Sequence, residues 1–465
     1  MKRFANLVFI FFSATFYCQD SLSIDIAIEL ALKNSDKVSI IESNFQIRNI
    51  QFENYKKSFL PQIAITAGLP YQRSIQEVLQ FNGSTSLVER NYLSPSVNFT
   101  TKQILPFTGG EISLTNSISM NKDLANNRTA YSSNWANLTY SQSINGFNPY
   151  KWNTKKYVYS RKIDSISYKK QKAQLKTEIA RYYTDAYLLQ VKCDLTKKNI
   201  SKTQILLEQF QQKKNLGRAL DMDVNQLEIT LSQLSQKLGS DKFELNYLLE
   251  TLTSHIKLYT KDSLILKPIK KIEFQVDKSK LEKAFLDTNF ENNAQLQLLI
   301  ADEKIDKVKK DGAVNFFLQL GLGINSSSNE LNDLFSTPSQ KQAVSVGAYI
   351  PILNWGILKN NKKIAELEKD ILQKELTQTK LDLSIQAERL YNYLLNVNVQ
   401  TKISENELKM QEELNNQILN LLLYDKKTIY DYRNQLFEYE KSLMNYNELI
   451  INKYILFSSF GEFFL

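Results

Sequence analysis

One plan is used twice along this chain, and that duplication constrains the fold more than any other feature. "YKKSFLPQIAITAG" (Tyr55 to Gly68) and "VKKDGAVNFFLQLG" (Val308 to Gly321) both run from a lysine pair into a strand-like stretch ending in Gly, at an offset of 253 residues. "YSQSINGF" (Tyr140 to Phe147) and "YIPILNWG" (Tyr349 to Gly356) match at an offset of 209. "KNLGRALDMDVNQL" from Lys214 and "YDKKTIYDYRNQL" from Tyr424 each join two helical patterns, and align at 208. In both, an Asp follows six residues after a matched position: Asp223 after Gly217, and Asp431 after Asp425. Repeats in a common order mean a supersecondary unit used twice. Here the unit reads helix, β-segment, long helix, tip, returning helix.

The fall in offset from 253 to 209 makes the first β-segment 44 residues longer than the second. That is room for one more hairpin, expected around Ser96 to Met120 and centred on the "PFTGG" turn at Pro106–Gly110. If it joins the other strands, the count per chain is six rather than four. Ile112, Leu114, Ile118 and Met120 alternate with Ser113, Thr115, Ser117 and Ser119, and Val344, Val346 and Ala348 alternate with Ser345 and Gly347. Such a period of two suits strands with one apolar and one polar face. Tyr92, Tyr131, Trp135, Tyr140 and Tyr349 lie in or beside these segments.

The rest reads as helix. Only 13 Gly and 8 Pro occur in 465 residues, and Tyr150 to Leu216 contains neither. After the first tip, Val224, Leu227, Leu231, Leu234, Leu238, Leu245, Leu248 and Leu252 step by three and four, with Asp241 filling one position. After the second, Tyr432, Leu436, Tyr439, Leu443, Tyr446 and Ile450 do the same. This is a coiled-coil seam. The domain organisation expected is a signal peptide at 1–18, a first repeat at 19–257 with its β-segment at about 61–146, a linker at 258–278, and a second repeat at 279–465 with its β-segment at about 313–354.

"MKRFANLVFIFFSATFYCQD" has a basic start and a short apolar core, as a secretory signal does. Cleavage after Cys18 is expected, with lipidation of Cys18 the alternative. The mature chain then keeps only Cys193 and has no internal disulfide. No later stretch offers the ~18 consecutive apolar residues of a membrane-spanning helix; a β-barrel crosses a bilayer without one.

The net charge of +9, from 58 basic and 49 acidic residues, shows no arginine-rich arm, so nucleic acid is not an expected partner. His255 is the only histidine. No P-loop, CxxC, GxSxG or HExxH pattern occurs. Neither catalysis nor a cofactor nor a metal is expected.

At this point the chain resembles the TolC-type outer membrane efflux proteins, on "SIDIAIELALKNS", "SFLPQIAITAGL", "VGAYIPILNWG" and the two tips. The resemblance implies a fold that is mainly α with a β-barrel portion. Long coiled-coil hairpins and antiparallel strands, internally duplicated, would close as a homotrimer into an α-barrel and β-barrel channel in outer-membrane lipid, with the helical part in the periplasm of a Gram-negative cell. It implies a passive conduit of a tripartite efflux or type I secretion system, working with a periplasmic adaptor and an inner-membrane pump. It also implies a gate at the tips. Asp431 matches an acid that rings the closed pore, while Asn434 stands where a second acid is usual. Lys427 matches a tethering base, with Met222 and Asp223 its expected partners. The tether's tyrosine falls on Leu422, with Tyr424 close by. Gly217, Arg218, Ala219, Leu220, Lys426, Thr428 and Ile429 are expected to face the adaptor. The competing reading is a periplasmic coiled-coil adaptor or scaffold without a pore.

Overall fold

The computed structural model describes residues 21–460, apart from 82, 259–263, 274–276, 288 and 337. The signal segment 1–18, with Cys18, lies outside the described residues. Two compact units emerge, one of residues 21–44, 167–285 and 383–460, the other of 45–166 and 286–382. Each draws on both halves of the sequence.

The first unit is helical; of the two longest helices, Pro149–Asn215 and Ile357–Leu423, it holds the parts from residues 167 and 383 onward. β1 (Ser21–Leu22) lies parallel to β8 (Ile265–Leu266). Ser23 caps α1 (Ile24–Asn34), its hydroxyl accepting the Ile26 N–H. α3 (Pro149–Asn215) runs for 67 residues, as the absence of breakers predicts; its one proline stands at the first helical position, where no N–H is needed. α4 (Asp221–Ile256) returns along it, and α7 (Ile357–Leu423) and α8 (Ile429–Phe460) repeat the arrangement. α5 (Lys278–Asp287) is short. One core gathers Ala27, Ile179, Leu252, Ile256 and Leu266 from α1, α3, α4 and β8. At its centre the Tyr183 hydroxyl, fully buried, bonds to the Leu22 and Lys267 carbonyls at 2.8 Å each. Asp241, the seam position that is not leucine, is buried and pairs with Lys192 at 2.9 Å.

The second unit is built on one antiparallel sheet. α2 (Asp36–Lys57) leads into β2 (Gln62–Gly68) and β3 (Tyr71–Leu79); then come β4 (Thr85–Leu93), β5 (Ser96–Leu105), β6 (Gly110–Asp123) and β7 (Arg128–Ile144). α6 (Phe290–Asp311) leads into β9 (Asn315–Ser328) and β10 (Ser339–Tyr349). β2 and β3 follow end to end around Pro70, as β4 and β5 do around Pro95. One register holds through both pairs, Gly68 facing Ser96 and Tyr71 facing Leu93. Proline has no N–H to give a ladder, so two long strands count as four. The sheet's eight strands are therefore six wide, in chain order, and the expected hairpin around Pro106–Gly110 is β5 and β6, hydrogen-bonded into it. Asn148, at the start of α3, holds that turn by donating to the Pro106 and Phe107 carbonyls at 3.1 and 3.2 Å.

Register sorts the side chains. Ile65, Phe99, Leu114, Leu138, Leu320 and Val344 fall on one face. Thr66, Asn98, Thr115, Asn137, Gly321 and Ser345 fall near them on the other. A bulge at Trp135, opposite Asn116, is the one irregularity across the middle of the sheet. Among the described residues both outer edges, β2–β3 and β10, are unpaired.

Candidate functional site

The two tips share a backbone solution, and it explains the matched spacing. At the first, Gly217 takes φ +69° and ends α3. The Gly217 N–H donates to the Lys214 carbonyl at 2.8 Å and the Arg218 N–H to the Lys213 carbonyl at 2.8 Å. That is the paired closure of a Schellman motif. At the second, Asp425 takes φ +58°, the Asp425 N–H reaches the Leu422 carbonyl at 3.2 Å, and the Lys426 N–H reaches that of Leu421 at 2.9 Å. Three residues on, Leu220 and Thr428 occupy the N-cap positions of α4 and α8. Three further on stand Asp223 and Asp431. Each carboxylate turns back on its own helix start: Asp223 Oδ2 accepts the Leu220 N–H at 3.2 Å, and Asp431 Oδ2 accepts the Thr428 N–H at 3.0 Å. These are the acid halves of capping boxes.

The hydrogen bonds from the Thr428 N–H and hydroxyl hold the Asp431 carboxyl below the usual carboxylate range. Asp431 stays half-exposed and negative, with Lys427 at 3.8 Å on the same turn.

The tips rest on one shared core. Leu206, Phe210, Val224, Leu227, Leu422, Ile429, Tyr432 and Leu436 pack together. The Tyr432 hydroxyl lies 3.2 Å from that of Thr203, and burial pushes its pKa up. The ion pair that crosses between tips differs from the expected one. Lys213, in the last turn of α3, reaches Asp425 Oδ1 at 2.6 Å and the Leu423 carbonyl at 2.8 Å. It thereby also satisfies a free carbonyl at the negative end of α7. Lys427 does not reach Asp223; it pairs with Asp431, and Asp223 is engaged in its own cap. Lys214 pairs with Asp221 at 2.6 Å within the first tip.

The remaining expected residues divide by burial. Met222, Leu220 and Tyr424 are exposed at 59, 64 and 76%. Gly217, Arg218, Lys426, Thr428 and Asn434 are exposed as well, and Ala219 lies half-buried against the shared core. Leu422 and Ile429 are buried, each 2% exposed, so Ile429 serves the tip core and is not an outward contact. Sequence reasoning passed over Lys213. Its signal was a lysine in the last turn of a helix beside an Asp in the partner loop.

Nothing at the tips or elsewhere gathers into a metal-ligand group among the described residues. His255 Nδ1 lies 2.7 Å from the Thr251 carbonyl and its ring packs on Tyr182, a structural setting. No described helix is long and apolar enough to cross a membrane, which says nothing about the sheet.

Residues 294–421, which run from α6 through the second β-segment to the end of α7, match the family described as outer membrane efflux protein. Among curated proteins none matches the chain in sequence. Solved structures match it over nearly its whole length. One is CusC, with a TM-score of 0.66, 13% identity, and 95% of this chain and 91% of that one covered. The CmeC outer membrane channel of Campylobacter jejuni gives 0.65 and 13%, covering 95% and 86%. The outer membrane protein VceC of Vibrio cholerae gives 0.65 and 10%, covering 95% of both. At such identities the likeness speaks for the fold, and the family match speaks for the second repeat. The chain thus has the fold of these outer membrane channels, and its residues 294–421 match the outer membrane efflux protein family.

Proposed function

We propose that the protein is the outer-membrane conduit of a tripartite efflux or type I secretion system, a homotrimer whose helices stand in the periplasm and whose pore is gated at the hairpin tips. The observation that carries this reading is the sheet. Its six-strand width has one apolar and one hydroxyl- and amide-rich face, and two open edges on which Ile63, Ile65, Val344 and Val346 are 66 to 75% exposed. Long, flat, apolar edges are a hazard unless another strand covers them. In lipid only a closed barrel satisfies every strand. Further copies of the chain supply the missing neighbours, with the apolar face toward lipid and the polar face toward the conduit. A pore-free periplasmic scaffold would leave both edges and the apolar face uncovered.

At the tips, Asp431 is the charge proposed to ring the entrance, with Asn434 one turn further on and Met222 and Tyr424 beside it. The Lys213–Asp425 pair is the tether proposed to hold the two hairpins of one chain together. Gly217, Arg218, Leu220, Lys426 and Thr428 form the exposed surface offered to an adaptor. Cross-linking of the detergent-extracted protein should give a threefold ladder, and the same fraction should conduct in planar bilayers. A monomer that stays soluble without detergent and does not conduct would overturn the reading.

A further inference from the structure

The lysine pairs quoted from the two repeats belong to a larger pattern. Four helices abut the sheet: α2 and α6 end there, α3 and α7 begin there. All four carry two adjacent lysines within the eight residues at their sheet-side ends: Lys56–Lys57, Lys155–Lys156, Lys309–Lys310 and Lys362–Lys363. The eight sheet-side residues of the four helices (50–57, 149–156, 304–311 and 357–364) hold twelve lysines and three acids. That surplus of nine equals the formal charge of the whole chain, +9, so the remaining residues balance. Eight of the twelve, Lys57, Lys151, Lys155, Lys307, Lys309, Lys310, Lys359 and Lys363, have no carboxylate within salt-bridge reach among the described residues. A solvated helix face built for stability would interleave its signs; this one does not.

The lysines lie within ~12 Å of each helix's sheet-side end. Beyond the short connections of three to seven residues the apolar face begins with Ile63, Ile144, Phe316 and Ala348. Aromatic rings fill the same level. Tyr55 packs on Phe59 and Tyr157 with centroids at 4.9 and 4.1 Å, and Phe59 on Tyr150 at 5.9 Å. Lys56 lies over Phe52 at 4.5 Å and Lys155 over Trp152 at 4.9 Å. Aromatics and long cationic side chains at the rim of an apolar band are the interfacial arrangement of membrane proteins.

We infer that these lysines form a collar that binds anionic phospholipid headgroups at the periplasmic leaflet. The inference rests on the outer-membrane reading above. Continuity with the apolar face points to lipid, and the one-signed surplus selects anionic over zwitterionic headgroups.

The test reconstitutes the trimer into phosphatidylcholine vesicles with and without phosphatidylglycerol, re-extracts it, and weighs the lipid that stays bound by native mass spectrometry. Phosphatidylglycerol should be enriched roughly tenfold over its share of the vesicle, and raised salt should erase the enrichment. The variant K57Q/K155Q/K309Q/K363Q takes one exposed lysine from each helix and leaves every carboxylate pair intact. It should lose the enrichment, while the matching Lys→Arg variant should keep it. No enrichment in the wild-type trimer, or undiminished enrichment in the Gln variant, overturns the collar and leaves the channel standing. So does a Gln variant whose only change is the ion selectivity of the pore, because the lysines would then face the conduit. A chain that forms no trimer overturns both.

Discussion

The two hairpin tips solve one problem with different residues. Both close a long helix through a left-handed residue, and both start the next with an acid at the third helical position. The first uses Gly217 and a leucine, Leu220, whose side chain can accept nothing. The second uses Asp425 and Thr428, and so gains a full capping box and a carboxylate for Lys213. At the first tip the cap is one-sided, from Asp223 alone, with the local Lys214–Asp221 pair beside it, whereas at the second the cap is reciprocal and Asp425 adds a cross-tip bond. The second tip should therefore be the better-defined of the two, and the first the more readily loosened.

The largest test addresses what the tips share. Tyr432→Ala empties the common core and should cost about 3–5 kcal/mol, opening both tips together in hydrogen exchange. Tyr432→Phe should cost about 1 kcal/mol. Opening of the second tip alone would break the claim of a shared core. Next comes the cap. Thr428→Ala should destabilise the start of α8 by about 1 kcal/mol, and Leu220→Ser should stabilise that of α4 by a similar amount; equal amide protection in all variants would remove the asymmetry. Gly217→Ala forces a Cβ into the left-handed region and should cost about 1 kcal/mol. Asp425→Gly relieves that conformation while breaking the Lys213 pair, and should come out close to neutral.

Smaller again is the ion pair, worth about 0.2–1 kcal/mol for partners this exposed. Its conductance signature is sharper than its stability effect. Lys213→Ala should raise the open probability of the trimer in planar bilayers, and Lys427→Ala should do so less. The opposite order would restore Lys427 as the tether. Asp431→Ala should weaken cation preference. The pH effect is smallest. The Asp431 carboxyl titrates below its ordinary range, so its contribution is complete above about pH 4 and is lost as pH falls through the folded value. Exchange of the Thr428 amide should speed up on acidification in the wild type and show no such step in Asp431→Asn.

Much of the architecture was legible because it rests on local pattern. Absent breakers gave the 67-residue helix, the change in offset gave the extra hairpin, and alternation gave the two faces. The tip residues were harder for a physical reason. Spacing showed that Asp223 and Asp431 were equivalent, but the same spacing serves a capping box and a ring of charge. Ion-pair partners depend on how helices rotate against one another, so Lys213–Asp425 could not be read from either segment alone. Ile429 looks outward because it sits at a turn, yet the first turn of α8 points it into the core beneath. The lysine pairs were visible one by one; only the topology brings four of them to the same end of the sheet.

The width of the sheet carries a consequence of its own. Three copies of a six-strand sheet would make a ring of ~18 strands, the size class in which porins hold an open aqueous channel that side chains cannot fill. Selectivity in a ring of that size would rest on the residues that line it and not on its width.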